Sequence, residues 1–137
     1  SGKQEPVKGT PMDFTTATPI GERENADFEQ LKFGKGYDHN WVLNKKGNEL
    51  SLAATVLEPQ SGRYMEVWTT EPGVQFYGGN FMAGDVGKQG KTYVHRGALC
   101  LETQHFPNSP NQASFPSVVL KPGATYQHTC IYKFGVK

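Results

Sequence analysis

A chain of 137 residues with 16 glycines, 9 prolines and 12% aromatic side chains is long enough for one domain with a sizeable core, and its turn-rich make-up favours strands over helices. Its formal net charge of +1 argues against nucleic acid or an acidic surface as the main partner. No apolar run approaches the roughly 20 residues of a membrane-spanning helix, so no membrane partner is expected. Cys100 and Cys130 lie in strand-like runs without a C-x-x-C spacing. They are expected as reduced core cysteines rather than as a disulfide or a metal site. The polar start, Ser1-Gly2-Lys3-Gln4-Glu5, has neither an initiating Met nor a signal-peptide hydrophobic region. The expectation is therefore that the polypeptide begins upstream, which leaves its compartment, cytoplasmic or periplasmic and secreted, open.

Taken in chain order, residues 1–35 read as mostly irregular, punctuated by Thr10-Pro11, Thr18-Pro19-Ile20-Gly21 and Gly34-Lys35-Gly36. Only Asn25 to Phe33 suits a short helix. Phe14, Ile20, Phe28, Leu31 and Phe33 are too many apolar anchors for a solvated tail, so this stretch is expected to pack on a body. Strands follow. Trp41 to Leu43 and Glu49 to Leu57 flank Asn44-Lys45-Lys46-Gly47-Asn48, which predicts a hairpin. Tyr64 to Thr70 and Gly73 to Tyr77 predict a second pair about Glu71-Pro72-Gly73. Phe81 to Tyr93 reads as an exposed loop, Val94 to Thr103 as a strand, and Pro116 to Leu120 as a short one. Thr125 to Phe134 places Tyr126, His128, Cys130, Tyr132 and Phe134 on one face of a long half-buried strand. The fold class is all-β, an antiparallel β-sandwich or part of one.

The chemistry-bearing stretch is Gly97-Ala98-Leu99-Cys100-Leu101-Glu102-Thr103-Gln104-His105-Phe106-Pro107-Asn108. Strand alternation turns Glu102 and Gln104 the same way, close to where Pro107 ends the ladder. A carboxylate and an amide projecting together suit a sugar, whose hydroxyls both donate and accept. Glu102 stands out because burying an unpartnered carboxylate costs several kcal/mol. Asp38 in Gly36-Tyr37-Asp38-His39-Asn40-Trp41 and Gln75 in Gly73-Val74-Gln75-Phe76-Tyr77 are further candidates. Each also has an ordinary reading, Asp38 as a turn residue and Gln75 as a surface position. His95 and His128 read as core or edge residues, whereas His39 and His105 each adjoin a candidate. No histidine has the partners of a zinc site, and no metal or cofactor is expected.

The segments Gly36 to Leu43, Gly73 to Asn80 and His95 to Pro107, in that order and spacing, together with Gly9-Thr10-Pro11-Met12-Asp13-Phe14, resemble the aldose 1-epimerase (galactose mutarotase) family over essentially the whole chain. The resemblance implies a large antiparallel β-sandwich that interconverts the α and β anomers of a hexose. It implies Glu102 as the general base, with Asp38 and Gln75 holding sugar hydroxyls. It further implies that the acid, a histidine in a His-x-Tyr-Phe-Asn run, lies upstream of residue 1, since no histidine here is followed by that run. Residues 1–137 are thus expected to be the C-terminal portion of one β-sandwich domain. Its partner would be the N-terminal portion of the same enzyme, as a separate chain or a removed segment. Two other readings remain: a non-catalytic carbohydrate-binding module, and a glycosidase using Asp38 and Glu102 as its carboxylate pair. A phosphosugar substrate would call for a cation at the rim, for which Arg96 is the nearest candidate.

Overall fold

The structure, a computed structural model, describes residues 3–137. In chain order it has α1 (Ile20–Arg23), α2 (Glu29–Gly34), β1 (Asp38–Val42), β2 (Ser51–Leu57), β3 (Arg63–Thr69), β4 (Gly73–Tyr77), β5 (Asp85–Val86), β6 (Thr92–Tyr93), β7 (Cys100–Gln104) and β8 (Cys130–Val136). Short 3-10 turns at Lys88–Gly90 and Ser109–Asn111 complete the list of regular elements. The class is all-β. One sheet has the order β1-β4-β7, a second the order β2-β3-β8, and β5 pairs with β6. Pairing in the second sheet and between β5 and β6 is antiparallel.

The chain forms two compact units, one from the described residues up to His39 with Phe76–Cys100, the other from Asn40–Gln75 with Leu101–Lys137. In the first unit the N-terminal segment packs, as its apolar anchors predict. Phe14 meets Tyr37 edge-on at 5.2 Å and Phe76 at 6.1 Å, and Tyr37 stacks on Phe76 at 5.2 Å. Met12, Leu31 and Tyr37 are buried there, although Phe33 is 70% exposed. Leu31 holds α2 down, and the helix ends where Lys35 enters the left-handed region at φ 53° and its N–H caps the last carbonyls.

In the second unit β3 is the central strand of its sheet, and burial follows from that position. Val67 and Thr69 are fully enclosed, while Val74, Leu101 and Phe106 supply the remaining buried apolar side chains. Phe106 is met edge-on by Phe115 at 5.3 Å.

Neither predicted hairpin forms. β1 and β2 belong to different sheets, as do β3 and β4. The Asn44–Asn48 and Glu71–Gly73 turns carry the chain between sheets rather than back along one. The tight hairpin is instead β2–β3, closed by the Glu58 N–H donating to the Arg63 carbonyl at 2.8 Å. β7 begins at Cys100, not at Val94, because Arg96 sits at φ +55° and its N–H bonds the Gly79 carbonyl at 3.0 Å. A non-glycine residue in that conformation cannot continue a ladder. Pro116 to Leu120 is not a strand, and the Phe81–Tyr93 loop holds the small β5–β6 pair.

β8 begins at Cys130 rather than Thr125, and the alternation read as half-buried is not. It is an edge strand whose Phe134 and Val136 are 73% and 71% exposed, with Ile131 and Tyr132 also open. Leu52 and Leu57 on β2, the other edge, are exposed too. Cys100 and Cys130 are free as expected, but Cys100 is exposed and Cys130 half-buried, so neither is a core residue. An apolar edge of this kind binds hydrophobic probes. The isolated chain is expected to enhance the fluorescence of a hydrophobic dye well above a fully folded globular control; fluorescence no higher than the control would show that this sheet is covered.

Candidate functional site

Asp38, half-buried, opens β1 in the first unit, and the turn before it is held from several sides. Asn80 donates from Nδ2 to the carbonyls of Gly34 at 3.0 Å and Tyr37 at 2.7 Å. Arg96 donates from Nη2 to the Lys35 carbonyl at 2.9 Å. Its Nη1 pairs with Glu24 at 2.8 Å and bonds Asn25 Oδ1 at 3.1 Å. Arg96 is therefore committed to bracing this turn, which removes the nearest candidate for a phosphate contact. Gly36, at φ +130°, leaves no room for a side chain: a Cβ there would lie 2.4 Å from Asn80 Oδ1. The Asp38 N–H bonds Nδ1 of His39 at 3.0 Å. Burial holds the His39 imidazole below its ordinary pKa, against smaller opposing effects of a Gln30 backbone contact and the Asp38 charge.

In the second unit, Gln75 on β4 and Gln104 on β7 are brought together with Asn40 of β1. Gln104 Nε2 reaches Asn40 Oδ1 at 3.3 Å and Gln75 Oε1 at 3.5 Å. These distances lie at the long end of the hydrogen-bond range, and each amide group can both donate and accept. Gly73 makes the arrangement possible. A Cβ at that position would stand 2.7 Å from Asn40 Oδ1 and 3.1 Å from the Phe106 ring, so the Asn40 amide occupies the space a side chain would take.

Glu102 lies on β7 two residues before Gln104 and shares its face. The neighbouring Leu101 is buried on the opposite face, and its carbonyl accepts from the Tyr132 hydroxyl at 2.7 Å. Glu102 itself is exposed, contrary to the expectation of a buried carboxylate, and among the described residues it has no hydrogen bond or ion pair. Its two oxygens are open to accept a proton from a docked hydroxyl.

Two residues of this region stand outside the candidates that the sequence offered. Asn40 was only part of a motif, and Glu71 only part of a turn. Yet Glu71 is buried, with Oε2 at 2.5 Å from His105 Nδ1 and Oε1 accepting from the Tyr126 hydroxyl at 2.6 Å. That bond to Glu71, more than its modest desolvation, raises the pKa of the Tyr126 hydroxyl. The only signal for the group was a carboxylate beside a Pro-Gly turn, which is ordinary in an exposed loop. His95 and His128 are both exposed and belong to no core.

Comparison with known proteins agrees with the motifs. The aldose 1-epimerase family profile matches residues 1–133. Galactose mutarotase of Homo sapiens is 43% identical over 137 residues, which is 99% of this chain and 38% of that protein. Aldose 1-epimerase of Escherichia coli (strain K12) is 37% identical over 130 residues, 93% of this chain and 37% of that protein. Among solved structures, a GalM/aldose epimerase homologue from C. elegans superposes with a TM-score of 0.75 at 29% identity, covering 95% of this chain and 38% of that one. The chain thus spans well under half the length of the relatives it matches. With a family profile over almost every residue and a shared sheet-rich fold, the chain belongs to the aldose 1-epimerase family.

Proposed function

We propose that this chain supplies the base and the sugar-holding side chains of an aldose 1-epimerase that interconverts the α and β anomers of hexoses such as glucose and galactose. Glu102 takes the proton from the C1 hydroxyl. The C1–ring-oxygen bond breaks, its electron pair stays with the ring oxygen, and that oxygen receives a proton from an acid. In this reading the acid is a histidine of the N-terminal portion of the enzyme, outside residues 1–137. The open-chain aldehyde turns about C1–C2 and recloses with the proton transfers reversed. Asp38, Gln75 and Gln104 bind hydroxyls and hold the ring against the base. Charge-assisted bonds from an ionised Asp38 orient more firmly than neutral ones.

One observation carries this reading beyond family membership. The exposed Glu102 shares a strand face with Gln104, whose amide is already joined to those of Gln75 and Asn40. That juxtaposes a proton acceptor with groups that both donate to and accept from hydroxyls. The test is polarimetry of a freshly dissolved single hexose anomer with the full-length protein. Optical rotation is expected to relax faster than in buffer alone, with no sugar released from an aryl glycoside. Sugar binding without faster relaxation would favour the carbohydrate-binding module; release from the glycoside would favour an Asp38–Glu102 glycosidase.

Gly73 offers a structural check. In the full-length enzyme Gly73→Ala is expected to push the Asn40 amide aside, at a cost of about 1–3 kcal/mol in stability. It should also lower kcat/KM by about tenfold or more through misplacement of Gln104 and Gln75. Unchanged kinetics would separate the Asn40 amide from sugar binding.

A further inference from the structure

Glu71 is the buried charged residue of the second unit that the proposed sugar chemistry leaves unused, its side chain only 3% exposed. Both carboxylate oxygens are engaged, Oε2 with His105 Nδ1 at 2.5 Å and Oε1 with the Tyr126 hydroxyl at 2.6 Å. Its own N–H donates to Oγ1 of the fully buried Thr69 at 2.9 Å. A carboxylate oxygen here can only accept, so the bond places the imidazole proton on Nδ1 and fixes the ring plane. Such a group is costly to bury and costlier to leave with a partner missing, which makes its geometry strongly determined.

The position of the pair in the chain gives it a consequence for the site. His105 immediately follows Gln104, the last residue of β7, and Glu71 stands two residues before Gly73, the first of β4. The bond therefore ties the end of the strand bearing Glu102 to the segment that leads into the strand bearing Gln75. Thr69, at the end of β3, and the Pro72 carbonyl, which accepts from the Leu43 N–H at 3.0 Å, anchor the same segment from behind.

The geometry points to Glu71 and His105 as a positioning pair for the base: the buried carboxylate, acting through imidazole Nδ1, sets where β7 ends and so where Glu102 and Gln104 stand relative to Gln75. The pair does not touch the sugar. His105 stands at a bend one residue beyond the end of β7, with its Nδ1 engaged by the buried Glu71. This inference rests on the epimerase reading given above and adds residues to it.

The test uses the full-length enzyme and three substitutions at His105, with Glu102→Gln alongside. Asn carries its amide nitrogen where the imidazole carries Nδ1, whereas Gln carries its amide nitrogen nearer to the place of Nε2. His105→Asn is therefore expected to keep kcat within about threefold of wild type. His105→Ala and His105→Gln are expected to lower kcat by about tenfold to a hundredfold with a smaller change in KM, as misplacement of a reacting group does. If His105→Ala does not fold, the comparison of the Asn and Gln variants still decides. Wild-type kcat in all three variants, or recovery by Gln equal to that by Asn, would overturn the positioning role. A loss of melting temperature with kcat unchanged would overturn it too, because a merely structural role predicts that result. Activity retained by Glu102→Gln would instead remove the base assignment itself, so the two failures are distinguishable.

Discussion

In the full-length enzyme, Glu102→Gln is expected to slow anomer interconversion by about 10²–10⁴-fold, the usual worth of a positioned proton transfer. Its melting temperature should barely move. The substitution keeps size and shape, and Glu102 is exposed with no hydrogen bond or ion pair among the described residues to lose. Hexose binding should survive within a few-fold, because the introduced amide still donates and accepts. The expected signature is a fall in kcat with KM little changed, measured by coupled oxidation of the β anomer. Gln104→Ala should behave differently. It removes the proposed hydroxyl contact and a link to Asn40 and Gln75, so KM should rise while kcat falls less. Near wild-type turnover by Glu102→Gln would mean that another group takes the proton.

The largest effect on stability is expected at Tyr37. Its ring is 1% exposed, stacked on Phe76 at 5.2 Å and met edge-on by Phe14 at 5.2 Å. Its hydroxyl donates to the Pro11 carbonyl at 3.0 Å, tying the N-terminal segment to the body of the first unit. Its own carbonyl accepts from Asn80 Nδ2 at 2.7 Å and from the Gly78 N–H at 2.9 Å. Tyr37→Ala would empty the centre of this cluster, with an expected loss of about 3–5 kcal/mol in urea unfolding. Tyr37→Phe keeps the ring and removes one hydrogen bond, so about 1 kcal/mol is expected. The contrast separates packing from hydrogen bonding. A loss below about 1 kcal/mol for Tyr37→Ala would place the core of this unit elsewhere.

What was legible in the sequence, and what was not, follows from the range over which each physical cause acts. The all-β class, the packing of Phe14 and Leu31, and the shared face of Glu102 and Gln104 depend on composition, apolar anchors and the two-residue period of a strand. All are local. The partners of the strands are not. Asn44–Asn48 and Glu71–Gly73 contain turn residues, and the chain does turn there, but turn chemistry does not say which sheet receives the next strand. At Val94–Leu99 the apolar residues suggested strand, while the left-handed Arg96 and its bond to Gly79 depend on a loop distant in sequence. In β8 the alternation of Tyr132 and Phe134 marked a face meant for burial, yet those side chains are exposed. The Glu71–His105 contact joins residues 34 apart, and neither position was unusual in its own neighbourhood. Asn40 needed Gly73 to be seen, because the amide lies where a Cβ would be.

Chemical rescue tests most directly whether Glu102 acts as the base. In the full-length protein, Glu102→Ala removes the carboxylate and, on the proposed mechanism, leaves a space beside the C1 hydroxyl. Added formate should then restore anomer interconversion, saturably and to well above the rate of the variant alone, while leaving the wild type unaffected. A variant that still binds hexose but gains nothing from formate, or one that keeps wild-type turnover without it, would contradict the assignment.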